Sequence, residues 1–271
     1  TTLINMGNAF KLLGKVEKTI EAYNKVLILQ PDNETIRVHK LREQAKICDW
    51  NEIEKDRELI PKLGTLNKSI HPLAMLSVED SPIRHLLRSK IYAKEKFSKK
   101  TSPLLVKPKN NKERIRIGYF SSDFREHPVG YLIAKVIEKH DRNKFEIFAY
   151  SLICNKKDEL QKQFIKSFDV FNDVSGMSDE EIILFSRNHN IDIAIDLNGY
   201  TEHCRSNIFS YRVAPIQINF LGFPGTMGTD FIDYIISDQH VIPLNKKKYY
   251  TEKKIYLPNT YMPTDNTREL S

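Results

Sequence analysis

Apolar residues change their spacing partway along this chain, and the change divides it. From Ile4 to about Lys100 they recur three and four positions apart, the period of helices with one buried face. From Ile115 onward, short alternating or fully apolar runs take turns with helical ones. In RIRIGYF, Ile115, Ile117 and Tyr119 alternate with Arg114, Arg116 and Gly118, a strand with one buried face; in YLIAKVIEKH, Leu132, Ile133, Val136 and Ile137 share one side of a helix. The same reading predicts strands at 115–120, 144–152, 169–174, 191–197, 215–221 and 231–237, and helices at 130–139, 158–168, 178–189 and 203–211. Strands alternating with single helices imply parallel βαβ units, so the predicted fold class is α/β: a Rossmann-like, doubly wound parallel sheet preceded by an α-helical region. No GxGxxG follows the first strand, which argues against a dinucleotide-binding dehydrogenase.

The helical part reads in two pieces. Residues 1–34 have the spacing of one tetratricopeptide unit, with small Gly7 near Phe10, Gly14 at the turn, Tyr23 in the second helix and Pro31 at its close; Thr19 and Val26 stand where that pattern prefers alanine. One unit cannot bury its own apolar faces, so a longer array is expected before Thr1. Residues 35–112 form a helical connecting region and linker. Asp32 is the expected cap of its first helix, on which Val38, Leu41, Ala45 and Cys48 can share a face. His71 precedes Pro72 and is therefore pushed out of the helical region of backbone space. RHLLRSKIYAKEKF predicts another helix, and TSPLLVKPKNNKER a linker. Residues 113–271 then make the sheet-containing lobe.

Composition narrows the setting. The chain has 271 residues, 40% of them apolar, enough for a sizeable core. Cys48, Cys154 and Cys204 are far apart with no CxxC pair, which predicts neither disulfide nor structural metal and a reducing, cytoplasmic environment. The net charge of +7 comes largely from basic runs at 94–100, 107–116 and 246–254, read as solvated loops or helix ends; no nucleic-acid-binding motif accompanies them. No apolar run reaches the ~20 residues of a membrane span.

Three polar loops follow predicted strands: SSDFREHPVG (121–130), DLNGYTEHCR (196–205) and LGFPGTMGT (221–229). A parallel sheet brings the carboxyl ends of its strands to one edge, where ligands bind. Gly222, Gly225 and Gly228 permit close backbone approach, and Asn198-Gly199 reads as a turn with positive φ. His127, with Asp123 four residues before it and Pro128 after it, can hold a fixed tautomer and exchange a proton near neutral pH.

Taken together, the tetratricopeptide unit, the helical segment with HP at 71–72, SSDFREHPVG, IDLNGYT, YRVAPIQINFLGFPGT and FIDYIISD resemble the protein O-linked N-acetylglucosamine transferases, glycosyltransferase family 41. The order and spacing match over nearly the whole chain. The resemblance implies the first lobe of a GT-B enzyme carrying out an inverting, metal-independent transfer to serine or threonine of target proteins. It implies no cofactor, with UDP-GlcNAc as co-substrate, and protein substrates held through the tetratricopeptide region. By motif match it assigns His127 and Asp123 as catalytic and His71 as a further candidate base; Pro128, Leu221, Gly222, Pro224, Gly225 and Thr226 fall to substrate binding. Val129 stands where animal relatives have threonine. The family's second lobe is absent from these residues, so the chain is expected to be an inactive fragment. GDP-fucose or UDP-glucose as donor, and a non-catalytic protein-binding module, are the alternatives.

Overall fold

The computed structural model describes residues 2–66, 68–97, 114–153 and 158–265, and the chain divides into two compact units, Thr1–Glu95 and Lys96–Ser271. The expected linker lies outside the described residues except for Arg114.

In the first unit, α1 (Thr2–Leu12) and α2 (Val16–Leu29) form a helical hairpin. Gly7 lets the helices close up: a Cβ there would lie 2.6 Å from the Tyr23 ring, whose hydroxyl donates to Asn8 Oδ1 at 2.8 Å. Gly14 takes φ +67 at the turn, a conformation that costs glycine little. α3 (Glu34–Lys46) is capped by Asn33, not by Asp32 as expected: the Asn33 side chain accepts from Ile36 N, and Asp32 stands one residue too early to reach it. Cys48 also departs from expectation. The helix ends at Lys46, and Cys48 is exposed with φ +57, beyond the apolar face that Val38 and Leu41 bury. Asp49 caps α4 (Trp50–Glu54), and α5 is Pro82–Lys96. Val38, Leu41, Ile53, Ile60, Leu63, Ile70, Ala74 and Met75 form the core of this unit.

Beside that core Arg88 is fully buried. Its guanidinium donates to the carbonyls of Leu63 and Ile60 and to the Glu79 carboxylate, which Arg84 also pairs. The Leu63 carbonyl belongs to a turn with no ladder to join, so Arg88 supplies its donor, and it adds a second donor to the Ile60 carbonyl, which also accepts from Leu63 N at 3.3 Å.

The second unit is a seven-stranded, fully parallel sheet in the order β3-β2-β1-β4-β5-β6-β7. The strands are β1 (Ile115–Ser121), β2 (Phe145–Ser151), β3 (Val170–Asp173), β4 (Ile193–Asp196), β5 (Ile216–Asn219), β6 (Tyr234–Ser237) and β7 (Lys253–Tyr256). Ile117 and Tyr119 of β1 and Ile147 and Ala149 of β2 turn to a core shared with Ile133 and Ile137 of α6 (Pro128–Glu138) and Phe164 of α7 (Glu159–Ser167). On the other face, Phe120 meets Phe209 of α9 (Asn207–Ser210), and Tyr150 meets Phe185 of α8 (Asp179–Asn188). β1 is thus buried on both faces, where its alternation predicts one; the helices on both sides of a doubly wound parallel sheet require it.

Three details differ from the sequence reading. The helix expected at 203–211 shrinks to α9, because His203 and Arg212 adopt positive φ (+59 and +57) and end helical geometry on both sides. A loop joins β5 to β6, as the strand order already implies, but the next crossover, from β6 to β7, is made by a 3-10 turn (Leu244–Tyr249) and not by the α-helix that alternating units would supply. β7, an edge strand of sequence KKIY, is too short and too charged to show strand periodicity.

Removing the Arg88 guanidinium by Arg88→Ala should destabilise the protein by about 3 kcal/mol, since it strands the Leu63 carbonyl and half-unpairs a buried carboxylate. Urea unfolding of the variant against wild type measures it.

Candidate functional site

The sheet grows away from β1 in both directions, toward β2 and toward β4, so the loops after β1 and β4 diverge from neighbouring strand ends. That is where an open α/β sheet leaves a crevice. The structure brings the three polar loops together at this edge.

The loop after β1 runs from Ser122 to His127 and is tied at each end. Gly130, in the first turn of α6, packs under it, and a Cβ there would lie 2.3 Å from Arg125 O and 2.7 Å from Asp123 O. Asp158, the cap of α7, accepts from Gln161 N and from Glu126 N, both at 2.8 Å. Asp123 is buried, while Arg125 and His127 are each about a third exposed. Asp123 Oδ1 lies 3.6 Å from His127 Nδ1 and 3.5 Å from the Arg125 guanidinium, beyond hydrogen-bonding distance but within ion-pair range.

His127 caps α6. Its Nδ1 accepts from Val129 N at 3.3 Å, its backbone is extended, and Pro128 opens the helix with no N–H to satisfy. A ring nitrogen that accepts carries no proton, so the neutral ring bears its hydrogen on Nε2. The proline that constrains the backbone and the cap that fixes the ring therefore present one N–H donor at the strand edge.

The loop after β4 is anchored by Asp196. Its Oδ1 accepts from Asn198 N at 2.9 Å and Gly199 N at 3.0 Å, and Gly199 takes φ +55. Oδ2 is buried without a hydrogen bond, and the Ser206 hydroxyl donates to Gly199 O at 3.2 Å. Burial pushes the Asp196 carboxyl up to about 6, against the pull of those N–H groups; Cys204, half-buried, is raised as well. From this turn the Asn198 side chain reaches the first loop. Its Oδ1 accepts from Ser122 N at 2.8 Å; its Nδ2 donates to Ser122 Oγ at 2.7 Å and to Asp123 Oδ2 at 3.0 Å.

The loop after β5 closes the edge. Gly222 is required there, since a Cβ would meet Leu197 O at 2.1 Å. Leu221 is buried with φ +78, a strained conformation for a branched side chain that typically costs about 1–3 kcal/mol. Thr226 is buried, and its hydroxyl donates to Glu252 Oε2 at 2.7 Å while Met227 N donates to Oε1 at 2.6 Å. Burial raises the Glu252 carboxyl, which these two donors partly offset. Pro224 is exposed and Gly225 half-buried over the Phe223 ring.

His71, the remaining predicted site residue, belongs to the first unit. It is extended (φ −66, ψ 119), meets Tyr92 edge-on at 5.4 Å and has its pKa lowered by burial. Among the described residues no group of three or more His, Cys, Asp and Glu could hold a metal ion, and no helix is long and apolar enough to cross a membrane. Cys154 lies outside the described residues.

Sequence reasoning missed Asn198, Asp196, Asp158 and Glu252 as parts of the site. Asn198 was legible only as a turn residue. Glu252, the single acid of the basic run 246–254, was hidden by its neighbours: read as solvated, it is buried.

Residues 47–270 match the family model described as Glycosyl transferase family 41, and the chain belongs to that family. It is 35% identical over 247 residues to a UDP-N-acetylglucosamine-peptide N-acetylglucosaminyltransferase of Caenorhabditis elegans, covering 83% of this chain and 21% of that one. It is 41% identical over 162 residues to the SEC protein of Arabidopsis thaliana, named as a probable enzyme of the same kind, covering 60% of this chain and 17% of that one. The chain thus spans about a fifth of the length of these relatives. A solved structure of a mutant O-GlcNAc transferase from Thermobaculum terrenum shares the fold, with a TM-score of 0.68 at 24% identity over 97% of this chain and 58% of that one.

Because the folded state holds the Asp196 proton more tightly than an unfolded aspartate does (about 6 against 3.8), native stability should fall as pH rises through that window, by up to about 3 kcal/mol. Asp196→Asn keeps the Oδ1 acceptor and cannot ionise. The variant is expected to be more stable than wild type by about 1–3 kcal/mol at pH 8, with the difference vanishing toward pH 4. Denaturant unfolding at several pH values measures this.

Proposed function

We propose that this chain supplies the first lobe of a protein O-glycosyltransferase that moves N-acetylglucosamine from UDP-GlcNAc to serine or threonine of target proteins. Family membership and the activity named for its relatives support the reaction class and the donor. The observation that carries the site is the pair of Asp123 and His127 at the sheet edge, with one carboxylate oxygen unclaimed by a hydrogen bond and one imidazole N–H fixed by the α6 cap.

In the proposed step the acceptor hydroxyl oxygen attacks the anomeric carbon on the face opposite the diphosphate. The bond from that carbon to the phosphate oxygen breaks, its electron pair leaves with the diphosphate, and the configuration inverts. Asp123 Oδ1 draws the hydroxyl proton, and His127 Nε2–H donates to a diphosphate oxygen as negative charge grows there. The step draws on no metal or cofactor. Arg125 adds positive charge beside Asp123. Gly222, with Leu221 and Pro128, lets the sugar approach the backbone closely, and Gly225 does the same beside Pro224. Thr226 shapes that loop through Glu252. No step is routed through His71.

The helical hairpin at Thr2–Leu29 is the end of a tetratricopeptide surface that receives the protein acceptor, and the reaction runs in the cytoplasm, where widely spaced cysteines stay reduced. The chain's partners are accordingly protein substrates and a nucleotide sugar.

The test is transfer of radiolabelled sugar from UDP-GlcNAc, UDP-glucose and GDP-fucose to lysate protein by the full-length protein. Incorporation should come from UDP-GlcNAc, and His127→Ala should reduce it by about 100-fold or more while losing only about 1 kcal/mol of stability with the α6 cap. Preference for another donor would correct the sugar, and an unaffected His127 variant would remove the histidine from the mechanism.

A further inference from the structure

The amide of Asn198 does more than a turn requires. Positive φ in this turn falls on Gly199, not on Asn198, so the backbone makes no demand for asparagine at 198. The side chain is nevertheless fully buried and spends both of its ends on the loop after β1, 75 positions away from Asp123. The Ser122 N–H can only donate, which fixes Oδ1 toward Ser122 and Nδ2 toward Asp123. The two Nδ2 hydrogens then face Ser122 Oγ at 2.7 Å, Asp123 Oδ2 at 3.0 Å and, farther off, Thr201 Oγ1 at 3.2 Å.

The consequence falls on Asp123. With Oδ2 held from beneath, the carboxylate cannot rotate to pair squarely with Arg125, and Oδ1 remains turned toward His127 without a hydrogen bond of its own. Gly222 packs on the Leu197 and Asn198 carbonyls, so the same residue also fixes the distance from the first loop to the third.

We propose that Asn198 is a positioning residue for glycosyl transfer, orienting the Asp123 carboxylate through its amide N–H so that Oδ1 stays available to the acceptor hydroxyl. The proposal rests on the reading of Asp123 and His127 as the reacting pair.

Two variants of the full-length protein test it. Asn198→Ala removes the contact and should lower kcat by about 10-fold or more while leaving the KM for the nucleotide sugar within about threefold, because the interaction orients a reacting group and does not bind the donor. Asn198→Asp keeps the shape and the acceptor for Ser122 N but sets a second carboxyl at hydrogen-bonding distance from Asp123. Two carboxylates so placed share a proton, and one titrates well above its usual range. At pH 8 the variant should be impaired at least as much as Asn198→Ala. As pH falls, the protonated carboxyl at 198 regains a donor to Asp123 Oδ2, so the ratio of variant to wild-type kcat should rise by about fivefold or more between pH 8 and pH 5.5. The charged groups around the pair are Arg125 and His127 on the β1 loop and Asp196 on β4; the 221–229 loop carries none. All are common to both proteins, so the ratio isolates position 198.

A residue that only stabilises the fold would give a ratio flat with pH, and that result overturns the proposal. So does Asn198→Ala with kcat within about threefold of wild type. If Asn198→Ala does not fold, the isosteric Asn198→Asp profile decides alone. Wild-type protein inactive with every nucleotide sugar defeats the functional reading instead, and this inference with it.

Discussion

The site at the carboxyl edge of this sheet depends on one constraint: where the sheet changes its direction of growth, the loops after β1 and β4 leave adjacent strand ends with buried polar backbone that no ladder can pair. A single amide meets that demand. Asn198 satisfies the Ser122 N–H, the Ser122 hydroxyl and one oxygen of Asp123, and is itself set by Asp196 through the turn. An unpaired buried polar group typically costs about 1–3 kcal/mol, so the network holds the loops as one piece. The α7 cap Asp158 and the close packing of Gly130 and Gly222 then fix the loop ends.

Strain and burial are concentrated around the same edge. Leu221 holds a positive φ, Asp196 keeps an unpaired buried oxygen, and Glu252 sits buried under the 221–229 loop. Each is unfavourable by itself, and each is compensated by the rigid sheet below. The residues that remain partly open at the edge, Arg125 and His127, are those whose chemistry needs access to a ligand.

Much of this was legible in the sequence because its signal is periodic. β1, β2, α6, α7 and α8 alternate or repeat with enough turns to be read within a residue or two, and a parallel sheet makes the convergence of its loops a geometric consequence. His127 and Asp123 stood out because charge crowded between two apolar runs needs a reason. What escaped has no local signal. Asn198 looks complete as half of an Asn-Gly turn, and its partner lies 75 residues away. Glu252 looks solvated among lysines, yet one buried acid there anchors a loop 25 residues earlier. β7 and α9 are too short for periodicity, and the Asn33 cap was displaced by one residue because Asp32 and Asn33 are equally good capping types.

The central claim is that the three loops after β1, β4 and β5 form the surface on which a nucleotide sugar reacts. A crystal structure of the full-length protein with a non-hydrolysable UDP-GlcNAc analogue tests it most directly. The account predicts the diphosphate within hydrogen-bonding reach of His127 Nε2, with the sugar against the backbone at Leu221 and Gly222 and Asp123 Oδ1 open to the anomeric face. An analogue bound away from this edge, or a His127 ring whose Nε2 is turned from the diphosphate, would contradict it.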